Sequence, residues 1–113
     1  MHEMSICEGI LQVLETESEK KKYSRVKKVA LEVGPLSGVE VEALRFSFDV
    51  VMKGTLADQA ELIVHEMPAT AFCMQCTESV TIAQRYDDCP QCGSAQLQVT
   101  SGEELAIKEL EVV

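Results

Sequence analysis

Residues 73–92 read CMQCTESVTIAQRYDDCPQC, two Cys-x-x-Cys pairs separated by twelve residues. Two residues between cysteines let one tight turn aim both sulfurs at a common point, and two such turns facing each other complete a tetrahedron. Zinc suits that tetrahedron best; iron with four thiolates is the alternative, and a redox dithiol pair a weaker one. Gly93, directly after the second pair, permits the positive φ of a knuckle-like turn, and Pro90 stiffens its start. A shell of four thiolates leaves no coordination position for water or substrate, so it supports folding rather than catalysis. Between Cys73 and Cys92 the single basic residue, Arg85, stands against Glu78, Asp87 and Asp88. That balance argues against a nucleic-acid ribbon and for a structural or protein-docking module.

Outward from this stretch the pattern becomes that of a small α/β domain. Upstream, Leu62 to Met67 is rich in strand formers and stops at Pro68. Downstream, Leu105 and Ile107 face one way and Leu110 and Val112 the other. A β-bulge near Lys108 and Glu109 would reconcile the two halves. Further upstream, Val41, Leu44, Phe48 and Val51 keep helical spacing until Gly54, and Ser37 with Glu40 three residues later reads as a capping box. Before that, Val29, Leu31 and Val33 alternate with Lys28, Ala30 and Glu32, a strand with one buried face that ends at GPLSG, 34–38. At the start, Cys7, Ile10, Leu11 and Leu14 mark the apolar face of a helix from about Glu3 to Lys22, with three lysines at its negative dipole end.

The expected architecture is therefore a two-layer α/β domain, about three strands covered by two helices, with an inserted four-cysteine zinc-binding module. Its expected boundaries are 1–68 and 99–113 for the main domain and 69–98 for the insertion. The 113-residue length fits one such domain with a small metal-stapled unit. With 46% hydrophobic residues but three Phe, two Tyr and no Trp, the core must be aliphatic. Ten basic against nineteen acidic residues give a formal charge of -9, which repels phosphate backbones and favours proteins and cations as partners. No secretory signal or run of ~20 apolar residues is visible, so the expected location is cytoplasmic. Five cysteines in that compartment are not a disulfide framework.

The first five residues, MHEMS, place a histidine beside the terminal amine. With a side chain as large as that of His2, Met1 is expected to be retained. The amine and the His2 amide can close a five-membered chelate ring, and that amide and the His2 Nδ1 a six-membered one. Three coplanar nitrogens match the tetragonal preference of Ni(II) or Cu(II), with Glu3 able to supply a fourth donor. The competing reading is a solvated terminus.

MHEMS, GPLSGVE after the first strand, and the CMQC and CPQC pairs in this order resemble the HypA/HybF family of nickel metallochaperones along the whole chain. The resemblance implies a nickel-binding domain and an inserted zinc domain, and insertion of nickel into [NiFe]-hydrogenase large-subunit precursors together with a HypB-type GTPase. In some members it extends to urease maturation. By position it implies His2 as the essential nickel ligand, Glu3 as a supporting residue and Cys73, Cys76, Cys89 and Cys92 as the zinc ligands. Glu40 stands where relatives carry an acidic residue near nickel; its reading from this sequence alone is the capping-box glutamate. Gly93 occupies a place where many relatives have a histidine.

Other candidates have structural readings. Cys7 lies on an apolar helix face as a small hydrophobe, His65 is a packed or surface residue of a strand, and the lysine run is solvated. No nucleophile–base pair points to an enzyme. A zinc-stabilised adaptor that handles no nickel is the rival function, sharing every feature except the need for a free amine and His2.

Overall fold

A computed structural model describes residues 3–113. Its elements are α1 (Glu3–Lys21), β1 (Val26–Val33), α2 (Val41–Met52), β2 (Glu61–Glu66), β3 (Ala69–Cys73), β4 (Ser79–Ile82), β5 (Leu97–Ser101) and β6 (Leu105–Val112). α1 buries Cys7, Ile10 and Leu14 along one stripe, with Glu3 in its first turn and Lys20 and Lys21 in its last, each opposite in sign to the dipole end it sits on. α2 buries Leu44, Ser47, Phe48 and Met52. The two helices pack on each other, and the Cys7 thiol donates to the Leu44 carbonyl at 3.7 Å.

The start of α2 differs from the capping box expected of Ser37 and Glu40. Gly38 takes a φ of +77°, which breaks any helical path from Ser37. The Ser37 hydroxyl instead donates back to the Gly34 carbonyl at 2.7 Å and closes a turn. Glu40 itself is the N-cap, in an extended conformation (φ -92°, ψ 115°), and its carboxylate accepts from the Glu42 and Ala43 amides at 3.3 and 2.9 Å. A carboxylate at this position satisfies two of the amides that a helix start leaves without partners.

One sheet has the order β2-β1-β6. Its central strand buries Val29, Leu31 and Val33 as an alternating strand should, and buries Val26 and Ala30 of the opposite parity as well. A single methyl between the half-buried Lys28 and Glu32 needs little cover, and Lys28 reaches across to Glu111 of β6 at 3.8 Å. In β6, Leu105, Ile107 and Leu110 are the half-buried positions while Lys108 and Glu109 are both exposed, so the parity changes where the sequence placed it, but Val112, expected to face inward with Leu110, is exposed at the strand end.

Residues 69–101 form a second sheet, β4-β3-β5, beyond the strands expected from the sequence. β3 pairs antiparallel with both neighbours, Ala71 opposite Val80 on one side and Val99 on the other. The register shifts between Thr70 and Ala71, which leaves Thr100 as the extra residue of a bulge. The Thr70 hydroxyl is shared with Thr100 at 2.8 Å and Ser101 at 2.6 Å. Ala69, Ala71, Cys73, Val80, Ile82 and Cys89 make the buried cluster of this sheet, with Leu36, Leu97 and Val99 against it.

The chain divides into two compact units. One comprises the described residues up to Leu31, Val39–Val64 and Ile107–Val113; the other comprises Glu32–Gly38 and His65–Ala106. Within the second unit, backbone packs directly on backbone. A Cβ on Gly34 would lie 2.1 Å from the Gly102 carbonyl oxygen, and one on Gly102 would lie 2.4 Å from the Ala69 Cβ. Hydrogen bonds from Gly34 to the Glu104 carbonyl (2.9 Å) and from Leu36 to the Gly102 carbonyl (2.8 Å) hold this contact closed. Arg85 adds a clasp, donating to the Leu36 carbonyl at 3.2 Å and pairing with Glu103. GPLSG thus serves the cysteine-bearing unit as well as ending β1. Among the described residues no helix is long and apolar enough to cross a membrane.

Candidate metal centre

The two Cys-x-x-Cys turns are built alike, although one is followed by a glycine and the other is not. In the first, the Thr77 amide donates to the Cys73 carbonyl at 2.8 Å and the Cys73 amide to the Glu78 carbonyl at 2.9 Å. In the second, Gly93 donates to Cys89 and Cys89 to Ser94, both at 2.8 Å. The residue after each pair has positive φ, +55° at Thr77 and +76° at Gly93. Gly93 was legible as such a position; Thr77 was not, because nothing in its side chain advertises a left-handed backbone. β3 delivers Cys73 at its end, β4 follows the first turn, and the Asp87 carboxylate, accepting from the Ala83 and Gln84 amides at 2.9 Å each, shapes the loop that returns to Cys89.

All four Sγ atoms lie within 4.8 Å of one another. Cys73 and Cys92 are 3.6 Å apart and Cys76 and Cys89 3.7 Å. These separations far exceed a disulfide bond of ~2.05 Å. They match the sulfur–sulfur edge of about 3.8 Å that a tetrahedron with ~2.3 Å Zn–S bonds would have. Among the described residues, this is the one group of three or more Cys, His, Asp or Glu side chains converging on a metal-sized space.

Hydrogen bonds within the cluster set the acidities of the four thiols apart. The Cys76 amide, donating to the Cys73 sulfur at 3.4 Å, leads the forces that lower Cys73 to about 7, and the Cys92 amide similarly lowers Cys89. Cys76 is pushed up to about 12, first by its bond to the Cys73 sulfur. Cys92 is raised: the Ser94 amide pulls it down, but burial and the Cys73 and Cys89 sulfurs outweigh that pull. Cys73 and Cys89 are thus the more acidic thiols of the cluster and Cys76 and Cys92 the less acidic. A soft divalent cation held by Cys73, Cys76, Cys89 and Cys92 would displace the thiol protons and would be bound by all four sulfurs.

The other candidate residues are placed as follows. Glu3 lies in the first turn of α1, where its carboxylate accepts from the Glu40 amide at 3.2 Å. The proposed chelate of Met1 and His2 lies outside the described residues. Cys7 is fully buried, and burial first, then the Glu3 charge, pushes its thiol up to about 11. His65 is exposed on β2.

Comparison with known proteins gives a consistent result. Residues 1–112 match the family model described as HypA, hydrogenase/urease nickel incorporation, metallochaperone. The chain is 58% identical over 112 residues to the hydrogenase maturation factor HypA of Azotobacter chroococcum mcd 1, covering 99% of each chain. It is 57% identical, with the same coverage, to that of Alkalilimnicola ehrlichii. Its fold is similar to the solution structure of the Ni metallochaperone HypA from Helicobacter pylori, with a TM-score of 0.73 at 21% identity, covering 100% of this chain and 98% of that one.

Proposed function

This chain belongs to the HypA family of hydrogenase/urease nickel-incorporation metallochaperones, and we propose that it carries Ni(II) at its N-terminus to the [NiFe]-hydrogenase large-subunit precursor. A HypB-type GTPase is the partner in that transfer, and where urease is made its maturation proteins are further recipients. The work is cytoplasmic in this reading. Residues 1–68 and 99–113 handle nickel, and residues 69–98 hold a structural Zn(II) on Cys73, Cys76, Cys89 and Cys92. The match over residues 1–112, which takes in the Met-His-Glu start, carries the reading.

Nickel is cargo here, so its site must bind and release. The Met1 amine, the His2 amide and the His2 Nδ1 would offer adjoining five- and six-membered chelate rings, which suit tetragonal Ni(II). Bound zinc would serve the opposite purpose, storing folding free energy in a closed shell. Catalysis has no place in this scheme, since neither metal is assigned a reacting substrate.

Calorimetric titration of untagged protein tests the proposal. One nickel should bind per chain, His2→Ala should abolish that binding, and acetylation of the amine should weaken it, all with the metal on the cysteines retained. Protons compete for both donors, so affinity should fall in acid. Equal nickel affinity in native, acetylated and His2→Ala protein would leave the zinc-stabilised adaptor as the correct function.

A further inference from the structure

Six of the ten basic residues stand within nine consecutive positions, KKKYSRVKK at 20–28, and no acidic residue interrupts them. The remainder of the chain sets four basic residues against nineteen acidic ones. The fold bends this stretch into a corner: α1 ends at Lys21, Lys22 turns the chain with a φ of +61°, and β1 begins at Val26. Lys20, Lys21, Lys22, Arg25 and Lys27 are exposed there, while Lys28 is half-buried and pairs with Glu111 at 3.8 Å. Among the described residues, none of the five exposed cations makes an ion pair. The helix dipole accounts for Lys20 and Lys21 in the last turn of α1. It does not account for Arg25 and Lys27, which lie beyond the helix.

Two clefts, of about 580 and 340 Å³, share Arg25, Asp58 and Gln59 as walls; Ser24 extends the first and Lys27 the second. The Ser24 hydroxyl already donates to the Val113 carbonyl at 3.3 Å, which leaves Arg25, Lys27 and Gln59 to meet a visitor. From this geometry we propose that the corner at 20–28 is a docking surface for an acidic segment of a partner protein. Arg25 and Lys27 receive its carboxylates in the clefts, the guanidinium offering the fork that matches a carboxylate, and the lysines at the helix end supply the surrounding field. Asp58 in the cleft wall and Glu15, Glu17 and Glu19 on α1 keep that field local. A long polyanion or an anionic surface would carry its charge past the corner and meet the acidic remainder of the chain. A short acidic segment ends within the ~8 Å over which the field survives physiological salt. The 19 residues of α1 put Glu3 about 28 Å from the corner along the helix axis, so a partner held there leaves the start of α1 uncovered. The inference goes beyond nickel carriage and does not depend on it.

The test uses the full-length, zinc-loaded protein and a fluorescent oligoglutamate peptide, with binding read by anisotropy at low and at physiological salt and the contact surface mapped by amide chemical shifts. The variants are Arg25→Glu with Lys27→Glu together, and Lys108→Glu on β6 as a control of equal sign. Native protein should bind the peptide in a salt-dependent way, with shifts confined to residues 20–28 and 54–59. The double variant should lose roughly tenfold in affinity, and Lys108→Glu no more than about twofold, both with native circular dichroism and zinc content. No binding at low salt, or an equal loss in the control, would overturn the proposal, the latter by showing a response to net charge alone. Tighter binding of a single-stranded oligonucleotide or of phosphatidylserine vesicles would overturn it in favour of that polyanion. Self-association that the double variant abolishes would overturn it in favour of a second copy of this chain.

Discussion

Cys7 shows how a single buried side chain sets a pH limit. It was legible as part of an apolar helix face, and the structure adds its thiol bond to the Leu44 carbonyl. With its folded-state pKa pushed from 9.0 up to about 11, the thiol is protonated in both folded and unfolded chains below pH 9. Between pH 9 and 11 the unfolded chain loses this proton and the folded chain keeps it. Stability contributed by Cys7 is thus lost as pH rises through that window, by on the order of 2 kcal/mol. Urea melts of native and Cys7→Ala protein at about pH 8 and about pH 10.5 should show the native form losing more on going alkaline; parallel losses would refute the linkage. Ser37 and Glu40 teach a different lesson at the same scale. Their residue types correctly signalled a helix start, but Gly38 lies between them, and its positive φ moved the cap from the serine to the glutamate.

At the scale of elements, helices and knuckles were legible because their signals are local. Apolar residues three and four apart declare α1 and α2, and each Cys-x-x-Cys declares a turn. β3, β4 and β5 were not seen: each has only four or five residues, too few to establish a period, and β3 has alanine and cysteine as its inward groups, which carry little hydrophobic contrast. The contact of Gly34, Gly102 and Ala69 was invisible for another reason: it joins backbone segments far apart in sequence. The two knuckles permit a direct comparison of substitutions. Gly93, at φ +76°, has open space where a Cβ would stand, so Gly93→Ala suffers from backbone conformation alone, about 1–2 kcal/mol. Competition with a chelator should show Gly93→Ala releasing its metal more readily than native protein. Equal retention would mean that the turn tolerates an L-residue there as it does at Thr77.

For the whole molecule, the partition of buried side chains decides what metal loss does. The cysteine-bearing sheet has a cluster of two alanines, two cysteines, a valine and an isoleucine, too little apolar volume to hold three strands unaided. The helical unit keeps Leu14, Leu44, Phe48 and Met52, which owe nothing to the four clustered cysteines. Chelation should therefore cost β-sheet signal while helical circular dichroism persists. A thiol count by a colourless-to-coloured disulfide reagent should rise by four, with Cys7 reacting only after denaturant is added. Five thiols reacting together would show that the two units unfold as one. The four-cysteine site and the two-helix layer were thus readable before any coordinates, whereas the dependence of one unit on Glu32–Gly38 was not. That dependence reaches into folding kinetics. Gly34 must find Gly102 across most of the chain, and closing so long a loop is slow when the intervening segment is random. A metal that first gathered Cys73, Cys76, Cys89 and Cys92 would shorten the free path between the two glycines, so the ion would be a pacemaker for the search as well as a rivet in the finished structure.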